Sequence, residues 1–121
     1  MFKVIYTEDY KHMSRVSAAL HIPDLRQWTI VEKRFYNDGK ATGITPVEKY
    51  ALEASNQQIF DATLIRTWNL DEYVGLPGNT PEERAAHPES YEYFMHHNLF
   101  DLMNPGFAKT HFPPATWIDQ S

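Results

Sequence analysis

The chain has 121 residues, 42% of them hydrophobic and 14% aromatic, which suits one small globular domain and is unlike a disordered segment. Sixteen acidic against eleven basic side chains leave a net charge of −5, which disfavours nucleic acid or an anionic membrane as main partner but leaves small anions as ligands. With no cysteine, disulfides, thiolate metal sites and cysteine nucleophiles are excluded, and no window approaches the roughly 18 apolar residues of a membrane span, so a soluble cytoplasmic protein is expected.

In chain order, the β-branched and aromatic run "FKVIY" predicts a strand, and "TEDYKHMSRVSAAL" a helix with Thr7 as N-cap and Tyr10, Met13, Val16 and Leu20 near helical spacing. "HIPD" breaks that pattern, "WTIVEKRFY" reads as a second strand and "NDGKATG" as a polar, glycine-bearing loop. "TPVEKYALEASNQQ" carries a capping-box pattern, with Thr45 at the cap, Pro46 at the first helical position and Glu48 three residues on. "DATLIRTWNL" predicts a third strand, Asp71 to His87 a long loop with Gly75, Pro77, Gly78 and Pro81, and Pro88 to Met103 a last helix stopped by "NPG". Residues 105–121 read as an irregular tail. Such alternation predicts a single α/β domain over 1–121, a Rossmann-like half-domain built on a parallel sheet.

Chemistry concentrates at two strand ends. At "ATGITP" a loop turns through Gly43 straight into a helix, where free N–H groups and the positive helix end suit a phosphate; an ordinary βα turn reads the same way. At "NLDEY" the candidate acids are Asp71 and Glu72. Strand alternation sends them to opposite sides, so Asp71 is the one placed to face a crevice at the strand's carboxyl end and act as a base. Solvated acids capping the next loop fit the local sequence equally well. Six histidines raise the question of a metal, but the adjacent His96 and His97 diverge by about 100° on a helix, and no metal or cofactor is expected.

In this order and at these separations, "MFKVIYTEDYKHMSR", "ATGITP", "NLDEYVGLP" and "HPESYEYFMHHNLF" resemble the N-terminal part of the glucosamine-6-phosphate deaminases, also called isomerases. The resemblance implies a doubly wound α/β fold and conversion of glucosamine 6-phosphate to fructose 6-phosphate and ammonia. It assigns the sugar phosphate, a hexosamine 6-phosphate, to Thr42, Gly43, Ile44 and Thr45. Proton transfer between C2 and C1 falls to Asp71, and a place beside the substrate to Tyr91.

The sequence departs from the family pattern at Ile44, where a small residue is usual, at Asp38 and Lys40, where the strand is usually apolar, and in the longer loop "GNTPEERAA". The family's GNDGHIAFNEP-type stretch, with its ring-opening histidine, does not occur in these 121 residues, nor do the downstream arginine and lysine that help bind phosphate. The expectation is therefore the first half of the family fold, completed by homo-oligomerisation, with Trp28, Trp68, Phe94 and Trp117 available to a shared core. The alternative function is a non-catalytic sugar-phosphate-binding or interaction module derived from the same scaffold.

Overall fold

The computed structural model describes residues 3–114. Its centre is a three-stranded sheet in the order β1-β2-β3, with β1 Tyr36–Lys40, β2 Ile65–Asn69 and β3 Lys109–His111. Both pairings are parallel, Tyr36 to Lys40 running beside Ile65 to Asn69 and Arg66 to Trp68 beside Lys109 to His111. Helices α1 (Tyr10–Arg26), α2 (Val47–Ser55), α3 (Pro81–Ala85) and α4 (Tyr91–Asn98) connect and flank the strands. The α/β class with a parallel sheet is as predicted. No helix among the described residues is long and apolar enough to cross a membrane.

Several elements differ from the sequence expectations, each for a physical reason. Residues 3–6 form no strand, and Val4, Ile5 and Tyr6 are exposed: a β-prone run still needs a neighbour to pair with. Asp9, not Thr7, caps α1, its carboxylate accepting the His12 N–H at 2.7 Å. The helix then runs through Pro23, because its buried face is Ser14, Ala18, Ile22 and Leu25, a stripe at helical spacing that continues past "HIPD". Tyr10, Met13 and Leu20, expected on the apolar face, are exposed instead. Small Ser14 and Ala18 are what allow α1 to approach α2.

"WTIV" continues the helix as a π-helical turn over Gln27–Val31, and the strand falls on "YNDGK", which the turn-forming Asn, Asp and Gly had marked as loop. Thr45 does not cap α2: the cap position is Pro46, without a side-chain bond, and Val47 N–H reaches the Ile44 carbonyl at 3.2 Å. Only Ile65–Asn69 of "DATLIRTWNL" is strand, after a 3-10 turn over Ala62–Leu64. The expected loop 71–87 contains α3, capped by Thr80. The expected last helix is confined to α4, capped by Ser90, and a 3-10 turn follows over Phe100–Leu102. The segment read as an irregular tail supplies β3.

The core joins Ala18, Ile22 and Leu25 of α1 and Tyr50 and Ala54 of α2 to Ile65 of β2 and to Met95, Leu99, Phe100 and Met103. It lies on one side of the sheet, where Asp38, Lys40, Ile65, Thr67 and Asn69 are all buried. The alternate strand positions face the other way and are more exposed among the described residues: Trp68 is 46% exposed and stacks on the half-buried His111 at 3.7 Å between ring centroids, and the half-buried Arg66 lies over the exposed Phe35. Cover from a shared core would have to sit on that face. Phe94 packs against the core, Trp28 is half-buried edge-on to Tyr36, and Trp117 lies outside the described residues.

Candidate functional site

Strand β1 ends at Lys40, and the chain turns through Gly43, at φ +138°, into α2. That dihedral strains any residue with a Cβ, which is why glycine occupies the turn. Tyr50 of α2 holds both backbone groups of Ala41: its hydroxyl accepts the Ala41 N–H at 3.1 Å and donates to the Ala41 carbonyl. Burial pushes the Tyr50 phenol up to about 12, so it remains a neutral clamp at physiological pH. Ser14 of α1 donates to the Thr45 carbonyl at 2.8 Å and fixes the far end of the loop.

Between these anchors, the backbone N–H groups of Thr42, Gly43, Ile44 and Thr45 donate to no protein acceptor among the described residues. The loop borders an open cleft of about 470 Å³ whose lining includes Ser17, Thr42, Thr45 and Lys49. The Ile44 side chain is 76% exposed, so the extra bulk at this position projects into solvent.

Beneath the loop, Lys40 lies between two carboxylates, 2.8 Å from Asp38 and 2.7 Å from Glu53, and is 2% exposed. His21 reaches Asp38 at 3.2 Å, and Lys49 approaches the other Glu53 oxygen at 3.8 Å. Burial alone would raise the Asp38 carboxyl, but hydrogen bonds and charge from His21 and Lys40 hold it at about 2. Burial disfavours the Lys40 ammonium, yet the two carboxylates outweigh it and push its pKa above the ordinary lysine value. His21, Asp38 and Glu53 bring ligand atoms within 4.8 Å of one another, the one such group of three found among the described residues. The Lys40 ammonium already bridges its two acids, so this cluster is a closed ion network.

Asn69 ends β2 opposite Lys40, and the Leu70 N–H continues the pairing to the Lys40 carbonyl at 3.0 Å. The Asn69 amide donates to the Thr42 hydroxyl at 3.1 Å, tying the two strand ends together. Two residues on, Asp71 is exposed, and its carboxylate makes no hydrogen bond or ion pair among the described residues.

Glu72 is engaged quite differently. One of its oxygens accepts the N–H groups of Tyr73 at 2.9 Å and Tyr91 at 2.8 Å; the other accepts from Glu92 N–H at 3.0 Å and lies 3.3 Å from the Ser90 hydroxyl, whose shorter bond at 2.8 Å donates to the Ala85 carbonyl. A carboxylate on the first turn of α4 also complements the helix dipole. The cap sets Tyr91 against Tyr73, ring centroids 4.7 Å apart, and the Tyr73 phenol, ahead of desolvation and the charges of Asp71 and Glu72, pushes Tyr91 up to about 12.

The candidate residues thus fall into two groups, loop 42–45 on β1 and the segment from Asp71 to Tyr91 after β2, joined through Asn69. The sequence places Asn69 beside the candidate acids and allows those acids a capping role, but it does not show the bond of Asn69 to Thr42 or the reach of Glu72 to α4. The signal for Asn69 was present, since Thr67 and Asn69 are polar residues at the buried positions of an alternating strand. Ser90, directly before a helical pattern, marked the cap that Glu72 completes.

The fold and these strand ends define a class: an α/β protein whose candidate residues gather at the carboxyl end of a parallel sheet. No family model matches the chain. Sequence comparison is more specific. The chain is 37% identical over 113 residues to the glucosamine-6-phosphate deaminase of Thermoanaerobacter sp., a match covering 92% of this chain and 40% of that protein. It is 34% identical over 113 residues to glucosamine-6-phosphate deaminase 2 of Bacillus subtilis, covering 92% of this chain and 41% of that protein. A solved structure described as a monomeric glucosamine-6-phosphate deaminase, a missing link of the NagB superfamily, aligns with a TM-score of 0.71 at 26% identity, over 98% of this chain and 45% of that one. The chain is a partial-length relative of the glucosamine-6-phosphate deaminases and spans about 40% of the length of the curated relatives it matches.

Proposed function

We propose that this chain carries the phosphate-binding and proton-transfer groups of a glucosamine-6-phosphate deaminase site. The observation that carries the reading is loop 42–45, whose four backbone amides have no protein acceptor among the described residues and stand at the end of the strand next to the one leading to Asp71. In this reading the phosphate of a hexosamine 6-phosphate takes those amides and the Thr42 and Thr45 hydroxyls, anchored by the positive end of α2. Binding energy gathered there positions the sugar carbons without taking part in the chemistry.

Asp71 is assigned the proton transfer. Its carboxylate removes the proton from C2 of the open-chain amino sugar and returns it to C1, while the amino group gives up one proton and the C1 aldehyde oxygen takes one up to become a hydroxyl. The resulting C2 imine is hydrolysed by water to the ketone, so that glucosamine 6-phosphate and water give fructose 6-phosphate and ammonia. A carboxylate with no hydrogen-bond or ion-pair partner among the described residues suits this role, since both its oxygens are free to take up and return the proton. Glu72, whose oxygens are taken by the α4 cap, is assigned positioning, and Tyr91 borders the sugar.

The test is ammonia release from glucosamine 6-phosphate by the 121-residue chain and by Asp71→Asn. The reading expects activity in the first and a loss of about 10²-fold or more in the second. Activity unchanged by Asp71→Asn would remove Asp71 from the reaction, and substrate binding without ammonia release would reduce the function to a sugar-phosphate-binding module.

A further inference from the structure

We infer that Asn69 is a positioning residue for the anion: it fixes the Thr42 hydroxyl as a hydrogen-bond donor into loop 42–45. The inference rests on the proposed phosphate site and adds to it the residue that sets its polarity. Asn69 is 7% exposed, its amide nitrogen lies 3.1 Å from Thr42 Oγ1, and its Oδ1 is buried with no donor among the described residues. A hydroxyl has one proton and two lone pairs. Once a lone pair of Thr42 Oγ1 accepts from Asn69, the proton is left free to point elsewhere.

The neighbourhood decides where. Thr42 belongs to the loop whose four amides donate to no protein acceptor among the described residues, so an anion held by those amides offers its proton an acceptor. Rotating the Asn69 amide by 180° would make Thr42 donate to Asn69 and turn its lone pairs toward an anion already surrounded by donors, a repulsive arrangement. An oxyanion in the loop would therefore favour the orientation found here, with Asn69 donating.

A double-mutant cycle read by calorimetric titration with inorganic phosphate, and again with glucosamine 6-phosphate, tests this. Asn69→Ala and Thr42→Val should each weaken phosphate binding about tenfold, the scale of one hydrogen bond to a charged group. The double variant should bind no more weakly than Thr42→Val alone, because Asn69 acts through that hydroxyl. Thr42→Ser, which keeps the hydroxyl, should bind within about twofold of wild type, a rescue that a merely structural role would not produce. Wild-type affinity in Asn69→Ala, or losses that multiply in the double variant, would overturn the inference and leave the phosphate site standing. No phosphate binding by the folded wild type would remove both. If Asn69→Ala does not fold, the Thr42 pair decides: Thr42→Val binding as well as Thr42→Ser contradicts a donating hydroxyl.

Discussion

Lys40 sits where a strand of this pattern would ordinarily place an aliphatic side chain, and its ammonium is held by Asp38 and Glu53 at 2.8 and 2.7 Å. Removing one member of a buried ion network leaves the others uncompensated, which costs more than the network gains over an apolar core. Lys40→Met, similar in volume, strands two buried carboxylates and should lower unfolding free energy by about 3–5 kcal/mol at pH 7, measured by urea denaturation. The pH dependence follows from the same groups. The Asp38 carboxyl is held at about 2 against an ordinary 3.8, so its contribution is complete above pH 3.8 and lost as pH falls toward 2. The Lys40 pKa is raised, so its contribution is complete below 10.5 and lost only at higher pH. Wild-type stability should therefore fall on the acid side below about pH 4, and Lys40→Met should lose much of its deficit there as its stranded acids protonate. A Lys40→Met protein as stable as wild type at pH 7 would mean that water or a counter-ion reaches the network. Asp38 and Lys40 are two apart and so share a strand face, but "NDGK" was read through its turn-forming residues; what made it a strand was a set of charged partners, Glu53 and His21, that lie far along the chain.

At the scale of elements, local signals failed where packing or pairing overruled them. The capping-box pattern at Thr45 is unused because Ser14 takes the Thr45 carbonyl and the loop turns one residue later. The apolar stripe of α1 was misplaced because Ser14 and Ala18, small and ambiguous in sequence, face α2, while Tyr10, Met13 and Leu20 remain exposed. The strand ends that carry the candidate site were legible, since glycine before a helix and paired acids after a strand have local causes. The Glu72 cap was not, because Tyr91 and Glu92 lie across a long loop. Glu72→Ala should cost about 0.5–2 kcal/mol, the worth of a helix cap, and should speed amide exchange at Tyr91 and Glu92 above all, both measurable by thermal denaturation and hydrogen exchange. Unchanged exchange at those two amides would show that Glu72 does not hold α4 and would return it to the list of candidate proton carriers.

For the whole molecule, one core serves one side of the sheet, and the side carrying Trp68, Arg66 and His111 is the more exposed among the described residues. Parallel sheets are ordinarily covered on both faces, a requirement that the alternation of elements made legible before any coordinates. The candidate residues, loop 42–45, Asn69, the exposed Asp71 and the capped α4, gather where β1 and β2 end. Everything proposed for this chain requires that a sugar phosphate bind at this junction. The most direct measurement is titration of glucosamine 6-phosphate into the isotope-labelled 121-residue chain, followed by its backbone amide resonances. The account predicts the largest shifts at Gly43, Ile44 and Thr45, with smaller ones at Asp71 and Tyr91. Saturable shifts confined to other residues, or none at millimolar ligand, would contradict it.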